Sequence, residues 1–257
     1  MPIYKKSIRL LMRDMVSELN LEQGQTITRQ QVVAWFHAHY PLIKEGSITA
    51  HLIKLSTNAR SRIHYSVKPS QDDLFYQIDS GRFRLYDPAN DPTPIYDKTG
   101  PDDSEPEVEE NESSLTDSLS GEFAYERDLQ NYLAKNLHRI EPNLRLYEEE
   151  GITGREFPVG GRKIDILAVD ANNNYVVIEL KVSRGYDRVV GQLLRYMGWI
   201  KNHHADPQQE VRGIIIAREI SEDLQLACSG VSNVELFEYQ LAVSLSKKEL
   251  NPKTTLQ

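Results

Sequence analysis

Two stretches decide the reading of this chain: Lys163-Ile164-Asp165-Ile166-Leu167-Ala168-Val169 and Val176-Val177-Ile178-Glu179-Leu180-Lys181-Val182. Each is a run of aliphatic, largely β-branched residues of strand length, as expected of a strand buried on both faces. Each nevertheless carries an acidic residue, and the two lie 14 positions apart. A charge inside a core is costly unless it is paired or binds a metal. Asn172-Asn173-Asn174 between them predicts a turn that accepts left-handed backbone. A hairpin through that turn sets Asp165 beside Glu179. Glu179 and Lys181, two apart on one strand, share a face, and Leu180 points into the core.

Two carboxylates and a lysine gathered in this way predict a metal-dependent phosphodiesterase centre. Hard oxygen ligands suit Mg²⁺ or Mn²⁺. Such an ion activates water and offsets charge on phosphate, and Lys181 is placed to assist. The next helix, from about Asp187 to Asn202, has a core stripe of Val190, Leu193, Met197 and Ile200. Its second stripe, Gln192, Tyr196 and Trp199, is placed to bring Gln192 and Tyr196 to the same centre. Upstream, Phe123 to His138 predicts a helix whose buried stripe is Leu129, Leu133, Leu137 and Ile140. Glu126 falls on that stripe and needs a partner. A strand near Leu144–Tyr147, a hairpin turning at Val159-Gly160-Gly161, the strand Gly213–Ala217, a short helix Ser221–Ala227 and a last strand from Val234 complete an α-β-β-β-α-β-α-β order. That order predicts an α/β domain with a mixed sheet over residues 122–257.

The 257 residues allow two modest domains. No apolar run approaches the ~20 residues of a membrane span, and the charged start of the chain predicts no leader. A lone cysteine, Cys228, allows no internal disulfide; its expected role is core packing, and a cytoplasmic location fits. The net charge of −8 looks wrong for a nucleic-acid binder, but its distribution is uneven. Residues 1–86 hold 12 Lys and Arg against 7 Asp and Glu; residues 87–121 hold 1 against 11; residues 122–257 hold 17 against 20. The middle segment has five prolines and almost no apolar clusters. It predicts a flexible acidic linker between a basic N-terminal module and the α/β domain.

The N-terminal module, residues 1–86, predicts three helices and a hairpin, a mainly α winged helix-turn-helix plan. Ile8, Leu11, Met12, Met15 and Leu19 make one amphipathic stripe. Thr28-x-x-Gln31 is a capping box for the second helix. Gly46-Ser47 caps a third, Ile48 to about Ala59. Leu74–Ile78 and Arg82–Tyr86 flank a turn. In that plan the third helix enters the major groove of double-stranded DNA. The DNA face is then Thr49, His51, Lys54, Asn58, Arg60, Arg62 and His64, with Arg82 and Arg84 on the wing. A module that packs against protein is the alternative.

The C-terminal motifs resemble the PD-(D/E)XK nuclease superfamily, a restriction-endonuclease-like fold, and within it the NucS-type endonucleases. The resemblance rests on Glu126-Arg127-Asp128-Leu129, Lys163-Ile164-Asp165-Ile166-Leu167, Val177-Ile178-Glu179-Leu180-Lys181, Gly191 to Trp199, and Arg212-Gly213-Ile214-Ile215. It implies Mg²⁺- or Mn²⁺-dependent DNA cleavage, often by a homodimer. The implied catalytic positions are Glu126, Asp165, Glu179, Lys181, Gln192 and Tyr196. The implied metal ligands are Asp165, Glu179, the Leu180 carbonyl and Glu126. Ile164 stands where the superfamily has proline, and the helical N-terminal module replaces the β-rich domain of NucS proteins. Restriction or defence is therefore the expected setting, with mismatch or branched-DNA repair as a second reading. A non-catalytic DNA-binding regulator on a nuclease scaffold is a third.

Overall fold

A computed structural model gives the fold, with residues 4–96, 116–181 and 187–240 described. Residues 101–110, the acidic centre of the expected linker, lie outside them. The N-terminal elements are α1 (Ile8–Glu18), β1 (Thr26–Thr28), α2 (Arg29–His39), α3 (Glu45–Lys54), a 3-10 turn (Arg60–His64), β2 (Phe75–Gln77) and β3 (Arg82–Leu85). The strands form an antiparallel sheet in the order β1-β3-β2. Ile8, Leu11, Met12 and Met15 are the buried stripe of α1. The Thr28–Gln31 capping box opens α2 with both of its reciprocal bonds. Helix α3 starts earlier than expected, with Lys44 at its N-cap and no side-chain cap.

Residues 87–96 do not begin a linker. Asp91 pairs with Arg84, the Tyr96 hydroxyl donates to Asp73, and the Ile95 amide donates to the Thr57 carbonyl at 2.9 Å. These ten residues wrap the N-terminal module because its arginines and free carbonyls supply partners.

The C-terminal elements are α4 (Thr116–Lys135), a 3-10 turn (Leu137–Arg139), β4 (Arg145–Leu146), β5 (Glu148–Glu149), β6 (Ile152–Thr153), β7 (Arg155–Val159), β8 (Arg162–Val169), β9 (Tyr175–Lys181), α5 (Asp187–His203), β10 (Val211–Ala217), α6 (Glu222–Ser229) and β11 (Val234–Glu238). The main sheet runs β11-β10-β9-β8-β4, with β7 also on β8. It is mixed: β9, β10 and β11 are parallel, while β4, β7 and β9 each run antiparallel to β8. Helix α4 begins inside the segment expected to be linker. No described helix is long and apolar enough to cross a membrane.

Strand alternation sorts the sheet into two faces. Ile166, Ala168, Val176, Ile178, Leu180, Ile214 and Ile216 pack with Leu129, Leu133 and Leu137 around α4. Leu167, Val169, Val177 and Ile215 pack with Val189, Leu193, Tyr196 and Ile200 of α5. Each such aliphatic side chain, fully buried, stabilises the fold by about 1.5–3 kcal/mol. Asp165, Glu179 and Lys181 belong to the α5 side by the same alternation.

The two modules share one core, and α3 is the contact. Residues 46–54 are all buried. Facing α3 is the β5–β6 hairpin, which turns at Glu150 and Gly151 with φ of 45° and 79°. The Ser47 hydroxyl donates to Glu149, and Lys54 donates to the Glu150 carbonyl at 3.0 Å. Ser66 donates its amide to the Gly151 carbonyl at 2.9 Å. Glu45 pairs with His203 at 2.7 Å.

Gly46 is required by this contact. A Cβ built there would lie 2.3 Å from His204 Nδ1, in a ring that is itself buried among Tyr147, Phe157 and Tyr175. Alanine is the better helix former by about 1 kcal/mol. Gly46→Ala is nevertheless expected to lower stability by about 1–3 kcal/mol through overpacking. Combined with His204→Ala the cost should be strongly non-additive, measured by chemical denaturation of all four proteins. Simple additivity would remove the clash as the explanation.

Candidate active site

The site forms where β8 and β9 separate. Their ladder ends at Ile166 opposite Ile178. One step beyond, the Leu180 amide turns from the β8 backbone to the Asp165 side chain and donates to Oδ2 at 2.8 Å. On the other flank the β7–β8 register passes from Arg155–Ile166 to Phe157–Ile164. Glu156, in the skipped position opposite Asp165, has a left-handed φ of 46°. Such backbone is uncommon for a non-glycine residue and clusters at functional sites.

Glu179 is 1% exposed. Its Oε2 accepts from Gln192 Nε2 at 3.0 Å, and the same Gln192 nitrogen lies 3.2 Å from the Tyr196 hydroxyl. Its Oε1 is buried with no hydrogen-bond partner. Burial pushes the Glu179 carboxyl well above its usual range, and the nearby Asp165 pushes it further. Burial also lifts Asp165 to about 6, against the lowering effects of the Leu180 amide and Lys181. Burial lifts the Tyr196 phenol to about 12, so it stays protonated at neutral pH. The pair is thus desolvated, mutually repelling and short of positive charge. An unpaired buried oxygen of this kind costs about 1–3 kcal/mol, more when charged. A divalent cation fits that deficit.

Gly213 permits the close packing of α5 that aims Gln192 and Tyr196. A Cβ there would sit 2.7 Å from both Leu193 Cδ2 and Met197 Sδ.

Of the sequence-predicted site residues, Asp165, Glu179, Gln192 and Tyr196 come together through these contacts. Lys181 lies at the open end of β9, and its charge lowers the pKa of both carboxyls. Glu126 does not complete a ligand cage. Among the described residues no three His, Cys, Asp or Glu side chains gather at one point. The physical reason is the face: α4 covers the side of the sheet opposite α5. Glu126 acts on Glu179 through its charge, which raises the Glu179 pKa slightly further.

Sequence reading missed Gln130 and Glu156. Gln130, buried on α4, donates Nε2 to the Asp165 carbonyl at 2.9 Å and steadies the strand at the acid. Its place one helical turn after Glu126 was the available signal. Glu156 collects Ser61 at 3.0 Å, His64 at 3.2 Å and Lys163 at 3.1 Å. Burial pushes its carboxyl up, but His64 and Lys163 outweigh this and hold it far below the usual range. Nothing in the strand pattern marked it.

The expected DNA face does not survive the packing of α3. Thr49, His51, Lys54 and Arg62 are 1%, 1%, 6% and 0% exposed, and the His64 side chain is 2% exposed. Groups so enclosed do not meet a base edge in this arrangement. Their polar atoms serve protein partners instead: Arg62 binds the Lys54 carbonyl and Asp73, and His51 bonds the Ser47 carbonyl at 2.9 Å. Burial drives His51 down to about 4, so it is neutral. Asn58 is occupied by the Gln77 backbone on both of its amide atoms. Arg82 pairs with Asp79 and Arg84 with Asp91. Arg60 and Arg82 remain exposed.

Residues 125–238 match the family model described as the endonuclease NucS C-terminal domain. The C-terminal domain is thus similar to that of the NucS endonucleases. Residues 7–85 match a domain of unknown function, DUF7669. The chain is 40% identical over 68 residues to endonuclease NucS of Pyrococcus furiosus, covering 26% of this chain and 24% of that protein. It is 36% identical over 102 residues to endonuclease NucS of Bifidobacterium animalis subsp. lactis, covering 39% of each. The chain thus spans less than half the length of these curated relatives. A repair endonuclease structure from Pyrococcus abyssi aligns with 52% of this chain and 50% of that one, at 25% identity and a TM-score of 0.37.

The raised carboxyl pKa values set the sign of a pH effect. Groups that hold protons more tightly folded than unfolded contribute stability that is full below about pH 4. That contribution is lost as pH rises through 6 and above. Glu179→Gln, which stays neutral, should therefore match wild type at pH 4. At pH 8 without divalent ions it should exceed wild type by about 1–3 kcal/mol. Thermal midpoints at both pH values check this; equal stability at pH 8 would mean that the pair is not under electrostatic stress.

Proposed function

We propose that this protein is a metal-dependent DNA endonuclease whose phosphodiester hydrolysis takes place at Asp165 and Glu179. The observation that carries the reading is the orphaned, buried Oε1 of Glu179 beside a second, half-buried carboxylate. The NucS-type identity of residues 125–238 supports the same chemistry.

Asp165 and Glu179 would hold Mg²⁺ or Mn²⁺. Mg²⁺ commonly takes one or two carboxylates and leaves its other positions to water and substrate phosphate, so a third carboxylate is not needed. The Leu180 carbonyl is the third protein oxygen. On a strand a residue's N–H and C=O point to the same neighbour, and the Leu180 N–H points at Asp165. The chemistry such an ion supplies is neutralisation of phosphate charge and activation of water for attack. Lys181, on the Glu179 side of β9, offsets negative charge developing on the phosphate. Gln192 fixes the orientation of the Glu179 carboxylate, and the protonated Tyr196 hydroxyl is available as a donor to a phosphate oxygen. Low pH keeps the carboxyls protonated and opposes metal binding.

The C-terminal match favours repair substrates, mismatched or branched duplexes, over a restriction setting. A panel of plasmid, mismatched, branched and modified DNA with Mg²⁺ or Mn²⁺ tests both. Wild type should cut in metal, with the half-saturating metal concentration falling as pH rises from 5.5 to about 8. Asp165→Ala should lose at least about 10³-fold in rate while still binding DNA. Equal binding with no metal-dependent cutting of any substrate by wild type would leave a DNA-binding regulator instead.

A further inference from the structure

A cleft of about 230 Å³ lies at the junction of the two modules. One wall is N-terminal, with Arg29 at the start of α2 and Arg60 at the start of the 3-10 turn. The other is the β7–β8 turn, with Arg162 and Lys163. The lining contains these four cationic residues and no acidic one, Lys163 being paired at 3.1 Å with Glu156 outside it. Arg29 Nε is buried without a hydrogen-bond partner, although the same guanidinium donates to the Ser80 carbonyl. A half-buried guanidinium with one enclosed, open N–H is suited to an anion. Asn58 and Gln77, also in the lining, are bonded to each other's amide and backbone atoms and serve as wall.

The cleft borders β8, the strand that carries Asp165. Lys163 and Asp165 lie two residues apart on the same face of β8, about 6.6 Å along the strand. The α5 stripe runs beneath: Trp199 lies against Gly160 of the turn, with Gln192 and Tyr196 at the carboxylates.

We propose that this junction cleft seats the sugar-phosphate backbone of the DNA, so that the N-terminal module grips the substrate with Arg29 and Arg60 rather than with its third helix. The proposal rests on the nuclease reading and deepens it. The strand passes from Arg29 and Arg60, across Arg162 and Lys163, to the scissile position at Asp165 and Glu179. Contacts of this kind position DNA without reading its sequence. The junction therefore supplies affinity to any duplex.

The test is the salt dependence of binding by the full chain. Fluorescence anisotropy with a labelled duplex in EDTA gives the affinity without cleavage. Each phosphate contact on duplex DNA contributes about −0.9 to the slope of log affinity against log salt. The exposed pair Arg60→Gln/Arg162→Gln should flatten that slope by about two and weaken binding roughly 10-fold or more near 0.1 M salt. Arg139→Gln, exposed on the α4 side, should change neither. If the double variant loses its native circular dichroism, the two single variants are compared, each expected to flatten the slope by about one. Unchanged affinity and slope in folded variants, or no duplex binding by wild type, overturns the cleft. The two readings fail separately. A wild type that binds through these arginines but never cuts removes the nuclease and keeps the cleft. Variants that bind and cut normally remove the cleft and keep the nuclease.

Discussion

Two carboxylates set side by side, Glu179 buried and Asp165 half-buried, repel each other, and the rest of this structure is arranged to hold them there. The β8–β9 ladder stops one step short of them, which frees the Leu180 amide to bind Asp165. Helix α5 packs tightly on β10 at Gly213, so that Gln192 reaches Glu179. Gln130 approaches from the other face and fixes the strand backbone. Each contact constrains position, and none supplies the positive charge that would relieve the pair. The surrounding fold thus bears an electrostatic cost that a bound cation would relieve, which is the logic of a preorganised site.

The site was legible in the sequence because both relevant periods are strong. A period of two placed Asp165, Glu179 and Lys181 on one face, and a helical period placed Gln192 and Tyr196 one turn apart on one helix. For Glu126, helical periodicity says which stripe it occupies, not which face of the sheet its helix covers. Gln130, four residues on, was the residue whose contact crossed to Asp165. The β5–β6 hairpin was hidden for a different reason. Three consecutive glutamates, Glu148 to Glu150, give no apolar alternation to mark a strand, and the left-handed φ of Glu150 is one that its residue type does not announce.

The misreading of α3 is the more general lesson. Ser47, His51 and Lys54 form a polar set that a DNA groove and an acidic protein hairpin satisfy equally well on paper. Hydrogen-bonding side chains specify partner chemistry poorly; here the partners are Glu149 and Glu150 of the same chain. Burying that set leaves Arg60 of the 3-10 turn and Arg29 at the α2 start at the seam between modules, beside the β7–β8 turn. What joins the modules also shapes the channel between them.

The alternation of faces along β8 and β9 has an evolutionary corollary. Cross-strand neighbours in a hairpin share a face, so Asp165 and Glu179 stay together on the α5 side only while Ile166 remains opposite Ile178. The aliphatic pattern of the two strands holds that register, so a change of length at residues 170–174, outside the ladder, is absorbed in the loop. A residue inserted within Ile166–Val169 or Tyr175–Ile178 would instead turn one acid toward α4 while the other stayed toward α5. Drift in length is thus tolerated in the loop and forbidden in the strands, while Asn173 keeps the left-handed φ of 65° that its residue type accepts.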